Sequence, residues 1–181
     1  MNVKPTEPQS IPNLAMDAAY SGYATIILDT PPSTTAPAAI MGANTLLLVS
    51  RPTASGAQRT MEAYRTVVKR LAGEHRISPA NIMVVLNMAT GEDYAPDEWH
   101  QMMAGALKKA GLGAPPIAVV IPEDPSIRVA QNNGKLAMQV SDTLARGIHK
   151  LADALFGTGA EAPEEESRGL KIGGLRFKIK K

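Results

Sequence analysis

Short apolar runs alternate with longer amphipathic stretches through most of this chain. Ala24-Thr-Ile-Ile-Leu-Asp29 is apolar, ends in an acid, and reads as a buried strand. Thr45 to Ser50 forms a second run, Asn81 to Asn87 (NIMVVLN) a third, and Ile117 to Ile121 a fourth. Between them the period lengthens. Met61, Tyr64, Val68 and Leu71 fall three or four apart, which predicts a helix from about Ala57 to Ala72. Trp99, Met102, Met103, Ala106 and Leu107 share one side of a helix expected over Pro96 to Ala110. Ile11 to Ala19 reads as a short helix with Leu14, Ala15 and Ala18 on one face, and Ser126 and Ser141 are placed to cap helices reaching Gly134 and Phe156.

Strands separated by helices point to a parallel sheet, because each parallel crossover needs a dozen or more residues and usually a helix. The expected class is therefore α/β, with a mostly parallel sheet flanked by helices. Ligands of such sheets sit at the carboxyl ends of the strands. Those ends are Asp29-Thr30-Pro31-Pro32, Ser50-Arg51-Pro52-Thr53, Asn87-Met88-Ala89-Thr90 and Pro122-Glu123-Asp124-Pro125.

The ends of the chain follow other patterns. Residues 1–10 are polar, carry two prolines, and read as a flexible lead-in to a domain over 11–156. Residues 157–169 read as a linker, its first part small, polar and acidic, with Glu161 and Glu164 to Glu166. The segment 170–181 then alternates apolar and basic residues about Gly173-Gly174. In an extended chain Leu175, Phe177 and Ile179 share one side, and Arg176, Lys178 and Lys180 the other. That predicts a hairpin or strand-like arm able to dock by strand addition to a sheet edge, or to meet DNA or an anionic membrane surface through its basic row.

Composition narrows the chemistry. The 181 residues are 44% hydrophobic but only 4% aromatic, so the core is built from Ala, Val, Ile, Leu and nine Met. With no cysteine, disulfide scaffolds, thiolate zinc sites and cysteine nucleophiles are excluded, and a cytoplasmic location is expected. The three His at 75, 100 and 149 are too scattered for a metal site. No run approaches the roughly 18 apolar residues of a spanning helix, and the start lacks the order of a signal peptide.

One resemblance ties the strand ends together. The apolar run ending in Asp-Thr-Pro-Pro, preceded by a short helix and Gly-Tyr, resembles the Walker B segment of the ParA/MinD-type P-loop ATPases. Three further blocks follow in that family's order: AAIMGANTLLLVS (38–50) with Pro52-Thr53 and a helix, NIMVVLN (81–87), and IPEDPSIRVAQNNGKLAMQ (121–139). The resemblance spans about Ile11 to Phe156 and implies the carboxyl-terminal part of a P-loop NTPase-like fold. It also implies that Asp29 and Thr30 belong to a magnesium and phosphate side, that Asn87 reads adenine, and that the loop at Pro122 closes over the ring. The chemistry of these groups agrees. A strand-end carboxylate can hold Mg²⁺ through water, and an amide offers the donor and acceptor that a base edge requires. The same residues also suit plain turns, Asp29 and Asn87 each bonding their own backbone. Arg128 stands where the family often places basic residues for DNA, and equally suits a solvated helix face.

The sequence departs from the family at one decisive place. It contains neither G-x-x-x-x-G-K-[ST] nor the deviant K-G-G-x-x-K-[ST], whose backbone N–H groups and Lys would neutralise phosphates. No cofactor is therefore expected for the chain alone, with ATP and Mg²⁺ entering only if a partner supplies the phosphate loop. The expected function is that of a non-catalytic scaffold or assembly component in plasmid segregation, conjugation, positioning or a related bacterial machine. Two alternatives are an ATPase part completed by another chain, and a nucleic-acid or membrane-surface adaptor acting through the arm. A sheet without the phosphate-loop strand exposes edges, so a homo-oligomer or a partner protein is expected to cover them.

Overall fold

Three of the four apolar runs assemble into one parallel sheet in the computed structural model, which describes residues 21–22, 25–30, 43–71, 79–157, 171–172 and 175–176. The strands are β1 (Leu46–Ser50), β2 (Ile82–Ala89) and β3 (Ile117–Pro122), and they lie in chain order. The register of β1 on β2 is unbroken from Leu46 against Ile82 to Ser50 against Leu86. That of β2 on β3 runs from Val84 against Ile117 to Ala89 against Pro122, with shifts between Val84 and Val85 and between Asn87 and Ala89.

Side chains alternate between the two faces of the sheet. Leu46, Leu48, Ile82, Val84, Leu86 and Val120 face helices α1 (Ala54–Leu71) and α2 (Pro96–Lys108). There they pack with Tyr64 and Val67 of α1 and with Trp99, Met103 and Leu107 of α2. On the other face Leu47, Val85, Val119 and Ile121 meet Leu144, Ile148 and Leu151. These last three belong to helix α4 (Asp142–Phe156). Helix α3 (Ser126–Asn132) and a short 3-10 turn (Ala137–Gln139) connect β3 to α4.

Two glycines fix how closely these layers approach. A Cβ on Gly147 of α4 would stand 2.8 Å from Ile121 Cγ1, so only glycine lets this helix sit on β3 at the observed depth. A Cβ on Gly56 would collide with the Arg51 carbonyl, so glycine also allows α1 to begin directly above the end of β1. Thr53 caps that start, its hydroxyl accepting from Gly56 N at 3.0 Å.

The boundaries agree with the periodicity, with two corrections. Residues 25–30 form no regular element, and Ile26, Ile27 and Leu28 are exposed, Ile27 at 87%. An apolar run becomes a strand only where a neighbour supplies its ladder bonds. Among the described residues none pairs with this segment, and the sheet ends at β1. The second correction concerns Ser126, expected as a cap. It is the first residue of α3, and its N–H is taken by the Asp124 carboxylate at 2.9 Å. Ser141 caps α4 as its position suggests, accepting from Leu144 N at 3.0 Å.

The carboxyl-terminal pattern gives two short strands, β4 (Lys171–Ile172) and β5 (Leu175–Arg176), paired antiparallel; Gly173 and Gly174 lie outside the described residues. The short helix expected at 11–19 and most of the linker lie outside the described residues. No helix among the described residues is long and apolar enough to cross a membrane.

Candidate functional site

The candidate site is the row of loops at the carboxyl ends of β1, β2 and β3. Its floor is rigid because the loops are tied to one another. The buried Trp99 ring of α2 donates its indole N–H to the Thr53 carbonyl at 3.2 Å, and Tyr94 N donates to the Pro52 carbonyl at 3.0 Å. The loop after β1 is thereby held from the loop after β2. Arg51, at the end of β1, reaches across β2 to Glu123 beyond β3, 3.8 Å apart. Both side chains are at least a third exposed, so this pair contributes no more than about 1 kcal/mol.

The end of β2 is irregular. Met88 has φ of 56°, a left-handed conformation uncommon outside glycine, and it falls in the register shift between Asn87 and Ala89. The bulge ends the regular ladder, and the Ala89 carbonyl still accepts from Glu123 N at 2.9 Å. Asn87, half-buried, uses its Oδ1 to accept from Met88 N at 2.9 Å and so supports the bulge. Just beyond, Asp93 accepts from the backbone N–H and the hydroxyl of Thr90 at 2.8 and 2.9 Å. Those bonds, backbone first, hold its carboxyl below the usual range, aided by the charge of Arg51.

Asp124 ties the third strand end to the start of α3. Its carboxyl accepts from the Ser126 N–H at 2.9 Å, and the nearby hydroxyls of Ser126 and Ser141 together with that N–H hold it below the usual range. Residues 126–141 thus form an excursion that leaves β3 from an N–H bonded to Asp124 and returns at Ser141, the cap of α4. Its outer surface carries exposed Val129, Leu136, Met138 and Val140.

The structure brings some of the sequence candidates together and leaves others apart. Asn87 and Pro122 lie at the ends of adjacent paired strands, Pro122 against Ala89. Asp29 and Thr30 are exposed in the unpaired segment, and no bond among those described ties them to Asn87 or Pro122. Arg128 is exposed on α3. Leu175 and Arg176 form β5, whereas Phe177, Lys178, Ile179 and Lys180 lie outside the described residues. Among the described residues there is no group of three or more His, Asp or Glu able to hold a metal ion. Sequence reading missed the Arg51–Glu123 pair and the Asp124 brace. Opposite charges at two strand ends were a signal for the first, and an acid two residues before a helix start was a signal for the second.

Neither a family model nor a curated protein matches this chain. Solved structures do. The cell division ATPase MinD of Pyrococcus furiosus is 24% identical with a TM-score of 0.59, the match covering 82% of this chain and 58% of that one. The septum site-determining protein MinD of Pyrococcus horikoshii OT3, solved with Mg-ADP, is 23% identical with a TM-score of 0.60, covering 83% and 57%. MinD of Aquifex aeolicus is 19% identical with a TM-score of 0.64, covering 92% and 64%. The chain thus spans less than two thirds of each of these proteins, and over that span it has the α/β fold of the MinD cell-division ATPases.

Proposed function

We propose that this chain acts by association, as a non-catalytic MinD-like scaffold or assembly component of a positioning or segregation machine. The observation that carries this reading is the open flank of the sheet at β1. Leu46-Leu-Leu-Val-Ser50 is ladder-bonded on its β2 side only, among the described residues. It has none of the charges, prolines or bulges that blunt natural sheet edges. Val49 is 65% exposed, although Val85, its neighbour on β2, is 3% exposed. Helix α4 covers the β3 side of that face and leaves Val49 uncovered. Such an edge favours a second polypeptide, and a P. furiosus MinD-like fold without a recognisable phosphate-loop motif gives no basis for turnover.

Native mass spectrometry and light scattering of the purified chain test this reading. A homo-oligomer that Val49→Glu weakens is the expected result. A monodisperse monomer that binds no hydrophobic dye would refute it.

The second reading is an ATPase part whose phosphate-binding loop is supplied by another chain. It is supported by the juxtaposition of Asn87 and Pro122 at adjacent strand ends. The association reading expects background ATP hydrolysis from the chain alone, unchanged by Asp29→Ala. Robust hydrolysis that Asp29→Ala abolishes would favour the second reading instead.

A further inference from the structure

The chain holds two incomplete sheets. One is the body sheet, whose β1 is ladder-bonded on its β2 side only, among the described residues. The other is the antiparallel pair of β4 and β5, each strand two residues long. Such a pair is marginal in water and gains stability when a third strand or an apolar face joins it. Each sheet therefore lacks what the other offers, a bare edge in one case and a neighbour in the other. Within one copy the two remain separate sheets, and β1 is not paired with β4 or β5 of its own chain.

Length and pattern fit. Strand β1 presents five residues, Leu46–Ser50, and none is charged. Leu175 to Ile179 is of the same length, with Leu175, Phe177 and Ile179 on one side of an extended chain and Arg176 and Lys178 on the other. The bare place beside the edge is Val49, exposed on the α4 face of the sheet. Setting Phe177, the middle of the apolar row, beside Val49 extends that apolar face, because paired residues on neighbouring strands share a face. Arg176 and Lys178 then fall on the opposite face, where their long stems carry the charges to water. Residues 157–169 separate α4 from the arm, and at about 3.3–3.6 Å per residue they reach roughly 40 Å, far enough for the arm to leave its own body.

We infer that the carboxyl-terminal arm of one copy, Leu170 to Lys181, adds as a strand to the β1 edge of a second copy. Every copy carries one edge and one arm, so the exchange is mutual and closes at two copies. This rests on the association reading and names the segment that carries it. Main-chain bonds to β1 supply the attachment, and the alternating side chains fix the register.

Sedimentation velocity on the full chain tests it. Leu175→Ser, Phe177→Ser and Ile179→Ser combined, with every Lys and Arg kept, should weaken self-association by at least about tenfold. Arg176→Gln, Lys178→Gln and Lys180→Gln combined should leave it nearly unchanged. Thermal unfolding followed by circular dichroism checks that each variant keeps the body fold. The chain has no cysteine, so a single thiol can be placed without interference. Under mild oxidation a mixture of Val49→Cys chains and Phe177→Cys chains should form a disulfide between the two in preference to either like pair, since neighbouring strands hold paired Cα atoms within the roughly 4.4–6.8 Å that the bond requires. If the unaltered chain associates and the serine variant does so equally well, the arm is not the donor, and this inference fails while the association reading stands. If the unaltered chain is a monomer, both fail. A serine variant that loses association while the cysteine mixture gives no mixed disulfide overturns the β1 edge as the acceptor. Association lost in the glutamine variant alone would make the arm an electrostatic tail and overturn strand addition.

Discussion

Trp99 offers the sharpest test of how the site is held. Its ring is fully buried between α1, α2 and the sheet, and its indole N–H reaches the Thr53 carbonyl. Trp99→Phe removes that bond and part of the ring. The Thr53 carbonyl also accepts from Ala57 N at 2.9 Å, so it is not orphaned by the change. The bond then costs the low end of its range, about 0.5–1 kcal/mol. The lost ring surface, roughly 40 Å² at about 25 cal/mol per Å², adds about 1 kcal/mol. Trp99→Phe should therefore cost about 1.5–2 kcal/mol and Trp99→Ala about 3–5 kcal/mol. Both are measurable against a domain stability of about 5–15 kcal/mol. Because Trp99 is the only tryptophan, urea unfolding should be followed by far-ultraviolet circular dichroism instead of fluorescence. If phenylalanine costs as much as alanine, the hydrogen bond dominates and the reasoning from a doubly bonded Thr53 carbonyl is wrong.

Two further changes probe the layers around that site. Gly147→Ala gains about 1 kcal/mol of helix propensity but forces a methyl against Ile121, so a net loss of up to about 2 kcal/mol and a lower melting temperature are expected; an unchanged or raised melting temperature would show that α4 can lift off β3 freely. Asp124→Asn should destabilise the chain at neutral pH. The folded-state pKa of Asp124 is depressed, so its contribution is present above the ordinary carboxylate pKa of about 3.9 and is lost as pH falls through the lowered value. The difference in melting temperature between the two proteins should shrink on acidification below about pH 4, and a constant difference would mean that packing, not charge, is what Asp124 supplies.

Much of this architecture is legible from periodicity, and the exceptions have physical causes. Helix α4 runs from Asp142 to Phe156 as its pattern predicts, because Ser141 starts it and Gly157 ends it with φ of 77°. Trp99, Met103 and Leu107 are buried as their spacing implies, whereas Met102 lies at the edge of the stripe and is exposed. The apolar run Ala24 to Asp29 reads as no less strand-like than Thr45 to Ser50. A strand is a property of a pair, however, and the sequence of one member does not contain the other. At the site, Asn87 and Pro122 were recognisable as strand-end residues. The Met88 bulge was not, since a left-handed methionine leaves no compositional mark. Arg51 meeting Glu123 depends on strand order, which local pattern does not encode.

The sequential order of the sheet also bears on how the chain is made. Each strand pairs with the next one in the polypeptide, so a ribosome delivers β1, β2 and β3 in the order in which they add to the sheet. Ladder formation can then keep pace with synthesis, without waiting for a distant segment, which favours rapid acquisition of the fold. Among the described strands β1 emerges before β2 and β3, and its outer rim is the one left bare. On crowded polysomes, neighbouring nascent chains would display the same adhesive Leu-Leu-Leu-Val rim within reach of one another. Yield of the native protein should thus depend on expression rate, and slower synthesis should give more soluble product.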